Sequence, residues 1–213
     1  MKGRWWHPYT FISKYSEMKI SYPHTIKNCT GEKIIFKEVQ QEPDGDRLLV
    51  ENFVGPGHGP LMHTHFLQDE SLTVVNGRIG YQIQGEPEKY AGVGETVLFK
   101  RGVPHRFWND GQDELHCKGW IKPANTIVFY LSAIYAAQNK SGKSKPETFD
   151  SAYLLTRYST EYDLPEIPKI VKKIILPVTY AIGKLLGKYK HFENAPDPLR
   201  GKEPRTKIPR TKE

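Results

Sequence analysis

Residues 57–77 read GHGPLMHTHFLQDESLTVVNG and residues 94–109 read GETVLFKRGVPHRFWN. His63 and His65 stand two apart, which on an extended strand turns both imidazoles to one face. Glu70 follows five residues after His65, close enough to converge after a bend, and His105 lies in the second stretch. Three imidazoles and a carboxylate form a mixed nitrogen and oxygen donor set suited to Fe, Mn, Co, Ni or Zn. No thiolate takes part, so a structural zinc site fits poorly.

Around these stretches the chain reads as short strands: 33–39, 47–54, 62–66, 71–75, 78–84, 95–99, 105–108 and 115–121. Asn76-Gly77 predicts a hairpin between two of them, because both residues accept the positive φ of a tight primed turn. Regular short strands punctuated by glycine and proline turns predict an all-β sandwich or barrel. After Lys122-Pro123 the pattern becomes helical. Residues 126–138 form one expected helix with Asn125 as its N-cap, and a second is expected around 151–158. From Ile167 to Tyr189 apolar residues recur at helical spacing, with lysines between them and Pro177 expected to kink or split the helix. From Asn194 onward the chain is rich in proline and basic residues and is expected to fray.

The anchors Gly57, His63, His65, Glu70 and Gly77 resemble the first motif of the cupin superfamily at every position. Gly94, Gly102, His105 and Asn109 resemble its second motif, except that Lys100 stands where the family usually has proline. The resemblance implies a small jelly-roll β-barrel with a C-terminal helical extension. It carries over His63, His65, Glu70 and His105 as ligands of a divalent transition metal (Fe, Mn, Ni or Zn), and the turn at Lys100 is where the chain departs from the motif. The ligand spacing and single-domain size resemble the quercetin dioxygenase-like cupins. They imply a metal-dependent dioxygenase acting on a small organic molecule, with Glu70 able to take a substrate proton. The same ligands would serve an isomerase or lyase. A barrel that binds a small ligand without turnover, as a sensor, is the reading from a different class. A sugar-phosphate isomerase would need a cationic clamp, for which only Lys100 or Arg101 at the rim offer themselves. Residues 1–140 are expected to be the barrel domain with its flanking helix, and 141–213 a basic helical extension and flexible tail.

Other residues carry weaker signals. His58 reads as a solvated loop histidine or as a gate at the barrel mouth. Gln68 could reach the outer shell of an ion. Phe53, Tyr81, Phe99, Phe107, Trp108 and Trp120 supply core, and a few of them pocket lining. Adjacent on one strand, His116 and Cys117 should face opposite ways.

The chain has 213 residues, 38% of them hydrophobic, so it can bury a core. Its two cysteines exclude a disulfide scaffold. No apolar leader follows Met1, and a reducing, cytoplasmic compartment is expected. The formal charge of +7 lies entirely in residues 165–213, since 1–164 balance to zero. An anionic partner is one meaning of such asymmetry. Residues 167–190 read first as an ordinary helix packed on the core or across a homodimer, and second as a peripheral contact with a membrane surface. A nucleic-acid partner is not expected, because the lysines are not interleaved with exposed aromatics.

Overall fold

The computed structural model describes residues 20–199. Its strands are β1 (His24–Lys27), β2 (Glu32–Gln40), β3 (Arg47–Val54), β4 (Thr64–His65), β5 (Asp69–Asn76), β6 (Ile79–Ile83), β7 (Lys89–Ala91), β8 (Thr96–Phe99), β9 (His105–Asn109), β10 (Leu115–Lys122) and β11 (Tyr162–Asp163). The helices are α1 (Ile127–Ser141), α2 (Thr148–Arg157) and α3 (Leu176–Leu185). A six-stranded sheet runs β1-β2-β3-β10-β5-β8, a three-stranded sheet runs β7-β6-β9, and β11 pairs with β4.

Strict alternation builds the inner face of the large sheet. Along β3, Leu48, Val50, Asn52 and Val54 are buried while their neighbours are not. One part of this face meets the small sheet through Val54, Leu72, Ile79, Phe99, Phe107 and Leu115. Another meets the helices through Leu48, Val50, Ile121, Ile127, Leu154 and Tyr158. Burial of these side chains at about 1.5–3 kcal/mol each is the main driving force for the two contacts.

The jelly-roll reading stands, with corrections. The sheets face each other but are not closed into a barrel: β1 and β8 end the large sheet, and β7 and β9 end the small one. Asn76-Gly77 is not a hairpin. Gly77 does adopt φ +88, but both edges of β5 are already taken by β10 and β8, so β6 crosses to the other sheet. The true hairpin between the motifs is β6–β7, with Ile79 opposite Ala91. The strand expected over 62–66 shrinks to Thr64–His65, and β1, β7 and β11 were not expected. Gly119 lets β10 and β5 approach closely, since a Cβ there would lie 1.9 Å from the Ser71 carbonyl oxygen.

Asn125 does not cap α1. It takes φ +45, and Thr126 stands at the cap without a side-chain cap bond. The second helix is capped by Glu147, whose carboxylate accepts the Asp150 N–H at 2.9 Å. Pro177 does not split the third helix. A π-helical turn over Val171–Ile175 leads straight into α3, and Leu176 N–H donates to the Val171 carbonyl. Pro177 thus lies within a continuous helical run, directly after the π-helical turn. This segment packs through aromatic residues: Tyr180 and Tyr189 pack on Tyr153, which stacks on Phe192 at 4.3 Å. Ile170, Ile174, Val178, Ile182 and Leu185 face outward, so the stripe does not pack on the core of this chain, which corrects that half of the expectation. Of the tail expected to fray from Asn194, residues 200–213 lie outside the described residues.

Candidate metal centre

His63 and His105 face each other across an isolated antiparallel bridge. The His63 N–H donates to the His105 carbonyl at 2.9 Å, and the His105 N–H returns the bond at 2.8 Å. His65 lies two residues on, its carbonyl accepting the Gly102 N–H at 2.7 Å. Glu70 projects from β5 opposite Phe99, whose ring stacks on His105 at 4.2 Å. One donor atom from each of His63, His65, Glu70 and His105 falls within 4.8 Å of the other three. The four candidate residues are thus brought together.

The second ring nitrogens show how the set is held. His63 Nδ1 lies 2.8 Å from the Leu61 carbonyl and His105 Nδ1 lies 2.9 Å from the Val103 carbonyl. A carbonyl only accepts, so each Nδ1 carries the proton and each Nε2 is left with a free lone pair. His105 Nε2 and His65 Nδ1 are buried without a hydrogen-bond partner. They lie 3.6 and 3.7 Å from the Glu70 carboxylate. Orphaned buried nitrogens beside a carboxylate fit a divalent transition metal, and the mixed donor set fits one too.

Electrostatics keep His63, His65 and Glu70 in their ligating forms. Burial, reinforced by the neighbouring imidazoles, lowers the His63 pKa to about 3. Burial lowers His65 to about 4. Burial alone would raise the Glu70 pKa, but the His105 contact and the surrounding imidazoles outweigh it and hold the group at about 2.

Beside the four residues opens a cavity of about 170 Å³, walled by Ile34, Val50, Leu61 and Phe107 and roofed by Leu131, Ile134 and Tyr135 of α1. Among its lining residues there is no lysine or arginine. Tyr135 donates to Glu32 at 3.0 Å in its wall, and the buried Asn52 Oδ1 has no partner. Inward parity on β3 was the available signal for Asn52. Nothing local marked Tyr135, which reaches the cavity only because α1 folds over the sheet.

The remaining candidates sit elsewhere. Gln68 is buried beneath β4, donating to Tyr162 Oη at 3.1 Å and Glu161 at 3.4 Å, so it serves this network rather than the donor set. His58 is an exposed loop residue. His116 stacks outward on Phe53 at 4.3 Å while Cys117 is buried. Of the aromatic candidates, Phe107 lines the cavity. Lys100 opens a turn closed by Val103 N–H to its carbonyl at 3.1 Å, so the missing proline does not abolish the turn. Arg101 is tied to Asp69 at 2.7 Å, and neither it nor Lys100 lines the cavity.

No curated protein sequence matches the chain. Among solved structures, the cupin domain of Schizosaccharomyces pombe Cnp3 is similar at 11% identity and TM-score 0.37, covering 42% of this chain and 64% of that one. This chain therefore spans somewhat less than two thirds of that domain. KdgF from Halomonas sp. is similar at 17% identity and TM-score 0.42, covering 49% and 92%. A conserved protein with a double-stranded β-helix domain from Klebsiella pneumoniae is similar at 20% identity and TM-score 0.37, covering 50% and 84%. Residues 53–121 match the family model of the cupin domain, which supports placing this stretch, with all four donor residues, in the cupin superfamily.

Proposed function

We propose that His63, His65, Glu70 and His105 hold a divalent transition metal, iron foremost, and that the chain is a metal-dependent dioxygenase acting on a small, neutral, largely apolar organic molecule. The observation that carries this reading is the placement of the donor set beside an apolar cavity that lacks any lysine or arginine. A phosphorylated or carboxylated substrate would bring a charge that no cationic side chain there meets. The cavity is of the order that holds a single aromatic ring, about 150 Å³.

A redox-active ion bound there would supply the one-electron chemistry by which O2 and an organic molecule react. The chain's own residues supply the rest. Glu70, ionised at neutral pH, can accept a proton from a substrate hydroxyl. Asn52 Oδ1, buried and unpartnered, can accept a hydrogen bond that orients the same molecule. Leu131 and Ile134 offer the molecule an apolar wall.

The test is elemental analysis of protein purified without added metal, followed by oxygen uptake with a panel of small neutral enols and phenols. Iron, with uptake that requires both substrate and metal, is the expected result. Zinc alone, or turnover without oxygen consumption, would overturn the dioxygenase reading in favour of a lyase or isomerase.

A further inference from the structure

Residues 167–192 contain six lysines and no aspartate or glutamate. The π-helical turn and α3 within this segment meet the body of the chain on one side. There Gly183 is buried so close to Tyr189 and Phe149 that a Cβ would lie 2.3 Å from the Tyr189 hydroxyl. The other side carries Ile170, Ile174, Val178, Ile182 and Leu185, spaced by fours and then three, which is one stripe of a helix. Leu185 is 87% exposed and Ile170 63%, and the three between them are about half exposed. Isolated exposed leucines are ordinary, but a continuous apolar stripe marks an interaction surface.

The charges beside the stripe narrow the partner. Lys169, Lys173, Lys184 and Lys190 are exposed and make no ion pair among the described residues. Lys172 is engaged by Asp163 at 2.6 Å, and Lys188 lies over the Phe149 ring. The sequence from 200 to 213 adds six basic residues against two acidic ones. A second copy docked face to face about a two-fold axis would bring these lysines against lysines. A surface that is apolar within and negatively charged at its boundary satisfies both features. Among the described residues no helix is long and apolar enough to cross a membrane, so the contact is peripheral.

We propose that this face docks the chain on an anionic lipid bilayer. The axis of α3 lies in the plane of the surface, the stripe from Ile170 to Leu185 enters the boundary between headgroups and acyl chains, and the lysines engage lipid phosphates. The inference is independent of the reaction proposed above, because none of these side chains touches the donor set or its cavity.

Co-sedimentation of the full chain with phosphatidylcholine vesicles, with and without phosphatidylserine, tests it. Binding is expected only with phosphatidylserine, and it should weaken with added salt. Ile174→Glu with Ile182→Glu, and separately Lys173→Glu with Lys184→Glu, should each weaken it about tenfold or more. Circular dichroism and metal content should not change, since these side chains stand in solvent. Failure of the wild-type chain to bind, or equal binding by both variants, overturns the proposal. So does a wild-type dimer that the isoleucine variant turns into a monomer without any vesicle binding, which would assign the face to a second copy.

Discussion

Tyr162 stands directly opposite His65 in the short antiparallel pair β11–β4, with the two rings edge to face at 5.7 Å. The Tyr162 ring also stacks on Tyr130 of α1 at 4.0 Å. Its hydroxyl accepts from Gln68 at 3.1 Å and lies 3.1 Å from Thr126 Oγ1. A residue far beyond the two motifs thus braces the strand that carries the candidate ligand His65. Tyr162→Phe should lose the hydroxyl contacts and cost about 1–2 kcal/mol of stability. Tyr162→Ala should cost about 3–5 kcal/mol and lower metal affinity about tenfold, because the brace on His65 goes with the cavity it leaves. Urea unfolding and competition with a chelator measure the two effects, and unchanged metal affinity in the alanine variant would deny β11 its supporting role.

Removing a donor tests the centre itself. His63→Ala and His105→Ala should each strip the metal to background while the chain stays folded. His105→Ala should be the less stable of the two, since that side chain is 1% exposed and stacked on Phe99. Metal analysis beside circular dichroism reads both quantities. Stoichiometric metal retained by either variant would refute the ligand assignment.

Acid should destabilise the metal-free chain. In the folded state burial holds His65 at about 4 and His63 at about 3, both below their ordinary value of 6.5. On unfolding these groups take up protons that the folded chain refuses. Stability is therefore full above about pH 6.5 and falls as pH drops through the folded values. Glu70, held at about 2 against an ordinary 4.5 despite the opposing effect of burial, loses its contribution in the same direction between those values. Melting temperature should fall steadily from about pH 7 to pH 4, and His65→Gln should flatten the decline. A wild-type melting temperature that stays level over this range would contradict the assignment of neutral buried imidazoles.

The contact of β10 with β5 should not tolerate a side chain at Gly119. A Cβ there meets the Ser71 carbonyl oxygen at 1.9 Å, which is backbone and has little room to move. Gly119→Ala should cost about 3 kcal/mol, read as a lower urea midpoint with an unchanged slope. A midpoint within error of wild type would show that the two strands can part without penalty.

Local patterns in the chain determined much of this protein. The two-residue step from His63 to His65, the alternation along β3 and the positive φ of Gly77 each depend on a few neighbouring residues, and each is legible from them. The grouping of His63, His65, Glu70 and His105 was also legible, through motif spacing. Other features depend on which edge or face is already occupied. Gly77 leads into a crossover because β5 has no free edge, and no residue near Gly77 encodes that. The periodicity of 167–189 specified a helix with an apolar stripe, yet the aromatic side won the packing, since Tyr180 and Tyr189 meet Tyr153 there. Only the tertiary structure set Tyr162 against His65 and roofed the cavity with α1. Such pairings join segments distant in sequence, and their free energy arises only when both surfaces leave water together.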